Sequence, residues 1–231
     1  SSLWEVIKAS LSPDIWKELW GPIGETLYMT VVSSLIMLVF GLLIGILLTV
    51  TNPDGLVPLK ASYTVSGWII NCLRSLPQMI MIILMIPVAR LIFGKAYGTN
   101  ACIIAIAASC IPMYARIVES SLLEIEKGKI EAAQAIGSNN LSIVFKILLP
   151  ETLPSLIRGF TVSVISVLSM TALAGMFGAG GIGDIAVRYG YQRFQHDRLF
   201  ACVYILIILV QLIQGIGNLV SKQILKTRNL I

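Results

Sequence analysis

The sequence predicts an all-α integral membrane protein, with five transmembrane helices and a helical loop between the third and fourth. Three observations carry that prediction. Of 231 residues, 56% are hydrophobic and only 13% are charged, against about 25% charge in a soluble domain, and mean hydropathy is +0.86. The apolar runs are long enough for five spans, each needing about 20 residues. The one long polar-faced stretch, Glu131 to Pro150, lies between two of those runs.

Residues 1–20 read as an interfacial segment. Leu3, Trp4, Ile7 and Leu11 form one face, Glu5 and Lys8 the other. Ser12-Pro13 restarts a short helix in which Trp16 and Trp20 are surface anchors. The start has no basic region and its apolar run is broken by Glu5 and Lys8, so no cleavable signal peptide is expected.

The membrane region follows as residues 21–221. The first span runs from about Gly21 to Val50, with Gly41 and Gly45 at the small-xxx-small spacing that lets helices approach closely. Asn52-Pro53-Asp54-Gly55 is a turn signal. The second span, about Tyr63 to Leu91, is interrupted by Arg74, Ser75, Pro77 and Gln78 and kinked again at Pro87. The third covers about Ala101 to Val118, the fourth Leu153 to Met176, and the fifth Leu199 to Leu219. Residues 222–231 are left as a tail.

The central loop, about residues 120–150, reads as helix, tight turn, helix. Ile130, Ala133 and Ile136 share a face, and Gly137 supplies the residue that enters the left-handed region without a Cβ clash. Ser138, Asn139 and Asn140 carry turn and N-cap chemistry. Leu141, Val144, Phe145 and Leu148 are expected on one side of the second helix, which is expected to stop at Pro150.

Several function classes are excluded. The net charge of +5 comes from basic residues scattered among span ends and loops. With no basic stripe interleaved with aromatics, nucleic acid is not an expected partner; membrane lipid is. Cys72, Cys102, Cys110 and Cys202 lack metal or disulfide-framework spacing and read as small hydrophobes. His196 stands alone in a polar loop. An intramembrane enzyme would need a nucleophile–base pair or metal ligands, and an ion-coupled carrier would need intramembrane acids or an inverted repeat; neither is visible.

Polar residues within spans are the candidates for function. Arg74, with Ser75 beside it, either faces protein or water inside the second span or snorkels to the cytoplasmic interface. Ser163, Ser166 and Ser169 recur every third residue on the fourth span, where hydroxyls commonly bond back to a carbonyl one turn earlier. Gly178 to Gly183 matches GxGxxG but is preceded by a span, so a dinucleotide site is rejected. A bend or re-entrant segment fits better, with its freed backbone groups buried in protein or a cavity.

Glu131-Ala132-Ala133, then Gly137, Ile147 and Leu149-Pro150 resemble the EAA loop of ABC-importer permeases at every signature position. Leu73–Gln78 (LRSLPQ) and GAGGIGDIAVRYGYQRFQ, from Gly178 to Gln195, are similar to the methionine-uptake branch of that family. The resemblance implies a permease importing methionine, with related amino acids or methionyl peptides as alternatives. It assigns ATPase coupling to Glu131, Ala132, Ala133, Gly137, Ser138 and Asn139. It supports a translocation path lined by Arg74, Ser75, Ser163 and Ser166; Met170 and Leu173, three residues apart just past the serine strip, are expected to form an apolar gate between copies, with lipid-facing packing as the alternative.

The implied partners are a cytoplasmic ABC ATPase in two copies and an external substrate-binding protein, often a lipoprotein. ATP and Mg would be bound by the ATPase, since no GxxxxGK[ST] occurs here and no cofactor is expected in this chain. One loop facing two ATPase clefts implies two copies of the chain about a two-fold axis. The setting implied is a bacterial inner membrane. With the loop inside, nine Lys and Arg fall on the cytoplasmic side and seven on the other. Five spans then put the N-terminus outside and the C-terminus inside.

Overall fold

The computed structural model describes residues 3–227, and every regular element among them is helical. Residues 1, 2 and 228–231 lie outside the described part, and with them Arg228 and the end of the expected tail.

Helix α1 (Leu3–Ser10) is short, with Leu3 and Trp4 exposed and Lys8 stacked over the Trp4 ring. The chain restarts at Pro13, the first residue of α2 (Pro13–Thr51), a position where the missing N–H costs nothing. That helix runs 39 residues without a break. Residues 13–20 are therefore the opening turns of the same continuous helix that carries the first apolar run.

The expected second span is two helices, α3 (Lys60–Ser75) and α4 (Gln78–Phe93), bent by 109° at Leu76-Pro77. Leu76 is extended, at φ −73° and ψ 131°, because a residue preceding proline is driven out of the helical region. Pro87, by contrast, stays inside α4. Helices α5 (Thr99–Leu123) and α6 (Lys127–Ala135) follow.

Helix α7 (Asn140–Ile143) does not stop at Pro150. It passes through a π-helical turn, Val144–Leu148, into α8 (Leu149–Gly175), making one apolar helix from Asn140 to Gly175. Pro150 has no N–H for the carbonyl one turn back and would press its ring against it. A wide turn just before it, in which the Leu149 N–H donates to the Val144 carbonyl, opens the helix there. After α8 come α9 (Gly181–Ile185), a second π turn at Ala186–Tyr191, and α10 (His196–Thr227). Residues 222–227 of the expected tail thus belong to α10. Among the described residues, four helices are long and apolar enough to cross a membrane, or five with the bent pair counted as one.

The residues divide into two compact units. One holds the chain up to Leu35 with Pro77–Cys110 and Val164–Gln214. Its core joins α2, α9 and α10 through Ile15, Leu19, Ile182, Ala201, Cys202 and Ile205. The other holds Ile36–Leu76, Ile111–Ser163 and the chain from Gly215 on. There Leu48, Ile70 and Ala115 pack together, joining α2, α3 and α5. Gly41 and Gly45 do mark a close approach. A Cβ at Gly41 would lie 2.7 Å from the Tyr114 ring, and one at Gly45 2.5 Å from Val118.

Candidate functional site

The α6–α7 loop is built by local chemistry. The Gly137 N–H donates to the Gln134 carbonyl at 2.9 Å, and the Ser138 N–H to the Ala133 carbonyl at 3.1 Å. Together they close a Schellman turn, and Gly137 takes the left-handed φ of +80° that this turn needs. Asn139 then caps α7, its side-chain oxygen accepting from the Ser142 N–H at 2.7 Å. A helix end and a helix start are fixed by four consecutive residues.

The faces of this loop differ from the sequence expectation. Ala133, Ile143, Val144 and Leu148 are buried. Ile136, Leu141 and Phe145 are exposed at 83%, 70% and 61%. The reason is spacing: Val144 and Leu148 turn inward with Ile143, and Leu141 and Phe145, one turn apart, point away. The turn therefore presents three large apolar side chains to the outside. Glu131, first residue of the EAA sequence, instead lines a cavity of about 460 Å³ with Asn52, Asp54, Lys127 and Gln134. Lys127 pairs with Asp54 at 3.7 Å, and Lys129 with Glu151 at 3.3 Å, tying α6 to the α2–α3 loop and to α8.

The residues expected on a translocation path lie on α3 and α8. Arg74 and Ser75 are exposed in the last turn of α3, immediately before the break, and the Ser75 hydroxyl donates to the Cys72 carbonyl at 2.7 Å. On α8 the hydroxyls of Ser163 and Ser169 bond back to the carbonyls of Gly159 and Ile165. Ser163 is buried and Ser166 half-buried. Met170, expected to form a gate with Leu173, is fully buried within the chain, and Leu173 is half-buried. Position 170 therefore faces the interior of its own chain. Ser169 on α8 and Met176, just past its end, are exposed, with the half-buried Leu173 between them.

Three constellations were not foreseen. The Glu25 carboxylate and Thr26 hydroxyl on α2 accept from the backbone N–H groups of Gly181 and Ile182, at 2.6 and 2.9 Å. This answers the requirement that freed backbone at the glycine bend be satisfied inside protein. Tyr189 is a hub for three guanidiniums, with Arg193 and Arg198 at 4.7 and 4.8 Å from its ring centre and Arg188 at 5.8 Å. Arg198 also pairs with Glu18 at 2.8 Å, and Arg188 with Asp184. On α5, Arg116 pairs with Glu119 at 2.6 Å, with Glu119 nearly buried. The signals in the sequence were the i,i+3 spacing of Arg116 and Glu119 and the i,i+4 spacing of Asp184 and Arg188.

Residues 41–226 match the family of the binding-protein-dependent transport system inner membrane component. The chain belongs to that family. It is 37% identical to the probable D-methionine transport system permease protein MetI of Vibrio cholerae serotype O1, over 87% of this chain and 89% of that one. It is 41% identical to the methionine import system permease protein MetP of Bacillus subtilis, over 89% and 92%. Among solved structures, a chain of the MetNI methionine ABC transporter in inward-facing conformations superposes with TM-score 0.90 at 37% identity, covering 93% of this chain and 99% of that one. An amino acid ABC transporter at 15% identity and TM-score 0.75 shares the fold. As an inner membrane component of such a transport system, this family member is the membrane-spanning permease of an importer, and the loop from Glu131 is its EAA loop.

Proposed function

We propose that this permease imports methionine, working as a homodimer with two copies of a cytoplasmic ABC ATPase and an external substrate-binding protein. The observation that carries the coupling half is the exposed apolar triad Ile136, Leu141 and Phe145 around a rigid Schellman turn. Large exposed apolar side chains grouped at one projecting turn mark a protein interface. Methionine as substrate rests on the names of the relatives above and on the Gly178–Gln195 sequence. ATP and Mg belong to the ATPase.

In this reading the EAA loop and the end of α10 face the cytoplasm, and Tyr189 with its arginines faces outside. ATP-driven closure of the ATPase pair draws the two loops together and opens the path outward. Substrate enters from the binding protein, and hydrolysis returns the inward-open state. The exposed Arg74 and Ser75, with Ser169, Leu173 and Met176 around the end of α8, are the path residues of each copy.

Co-purification tests the assembly. A tagged chain solubilised from a bacterial membrane is expected to carry the ATPase at a one-to-one ratio in a complex holding two of each. A permease that purifies without ATPase, in a detergent that keeps it folded, contradicts the proposal.

A further inference from the structure

Arg116 does more than neutralise Glu119. Its Nη1 donates to Glu119 Oε2 at 2.6 Å, and its Nη2 crosses to α3, donating to the Gly67 carbonyl at 2.9 Å and to Asn71 Oδ1 at 3.0 Å. Gly67 is buried, and a Cβ there would stand 3.2 Å from Nη2, a contact the guanidinium would have to yield to by a few tenths of an ångström. Arg116 Nε and Glu119 Oε1 are buried with no hydrogen bond of normal geometry, and Tyr63 on α3 faces the pair. A buried polar group left short of partners calls for an explanation beyond packing.

The chain path supplies the function. Arg116 and Glu119 lie in the last turns of α5, which ends at Leu123, and α6 of the EAA loop starts at Lys127. Asn71 lies one turn before Arg74, whose residue ends α3 with Ser75. The geometry points to Arg116 as a positioning residue. It latches α3 to α5, so that a displacement received by the EAA loop is passed to the end of α3 that carries Arg74. This inference rests on the importer reading above. Glu119 aims the guanidinium, and Gly67 and Asn71 receive it.

The test uses the permease reconstituted with its ATPase and binding protein, reading methionine imported per ATP hydrolysed. The double variant Arg116→Glu/Glu119→Arg keeps an i,i+3 ion pair but moves the guanidinium along α5, away from Gly67 and Asn71. It is expected to lose at least tenfold in import per ATP while retaining its ATPase rate and melting temperature. Asn71→Ala, an exposed change that leaves the ion pair intact, is expected to lose severalfold and serves if the double variant fails to fold. A wild-type ratio in the folded double variant, or in Asn71→Ala, overturns the latch. So does a parallel fall of import, hydrolysis and melting temperature, which is the mark of a purely structural pair. Wild-type protein in the same vesicles separates the two claims, because failure of its own methionine import would indict the importer reading and not the latch.

Discussion

The Glu25 carboxylate accepts a hydrogen bond from the backbone N–H of Gly181 at 2.6 Å, across 156 residues of chain. Gly180 beside it sits at φ 79° and ψ −160°, a region open essentially to glycine alone. A Cβ there would also meet Glu25 Oε2 at 2.5 Å. Gly180→Ala is expected to destabilise the protein by about 1–3 kcal/mol from backbone strain, with the carboxylate clash added. Glu25→Ala, which strips the Gly181 N–H of its acceptor, should cost about 1–3 kcal/mol. Glu25→Gln keeps an acceptor oxygen and should recover most of the loss. Melting curves of the detergent-solubilised protein read all three; equal stability of Ala and Gln at position 25 would show that the bond contributes nothing.

Gly137→Val tests the aim of the loop. Valine is β-branched and resists φ of +80°, so α7 should leave the turn in a different direction. The protein should reach the membrane, because Gly137 lies outside the helices long and apolar enough to span. ATPase binding should weaken, or hydrolysis should proceed without import. Normal coupling in a well-expressed Gly137→Val protein would mean that the left-handed turn is dispensable.

Ile136, Leu141 and Phe145 make a separate case. All are exposed, so Ile136→Asp or Leu141→Asp should shift folded stability little, within about 0.5 kcal/mol for surface changes. Each should nonetheless reduce ATPase retention, and the double change should abolish it. If retention survives the double change, the triad is not the docking surface.

On α8 the pattern of burial sets the outcome of crosslinking. In a background lacking the native cysteines, Leu173→Cys or Met176→Cys should crosslink between copies without nucleotide and lose the crosslink with ATP trapped. Met170→Cys should stay silent, since position 170 is buried within its own chain. Strong crosslinking at 170 with none at 173 and 176 would reverse the assignment of faces.

What the sequence made legible was local. The turn at Gly137 and the cap at Asn139 follow from four neighbouring residues, and the five apolar runs follow from hydropathy. The contacts of Arg116 with Gly67 and Asn71 span 49 and 45 residues, and no pattern along the chain announces them. The burial of Met170 was hidden for another reason. Lipid-facing and protein-facing sides of a span are both apolar, so periodicity cannot say which is which. Pro150 misled because its usual effect is to end a helix, whereas here a π turn absorbs it. The break at Pro77 was half visible: the interrupting residues were readable, the 109° bend was not.

The central claim is that this chain couples ATP hydrolysis to methionine entry, and one measurement reaches it directly. Labelled methionine is added to the binding-protein side of vesicles containing the permease and its ATPase, with and without ATP on the opposite side. Accumulation of methionine against its gradient is expected only with ATP, the binding protein and an intact Glu131–Pro150 loop together. Accumulation that persists without ATP, or an ATP-driven signal for unrelated amino acids but none for methionine, would contradict the account.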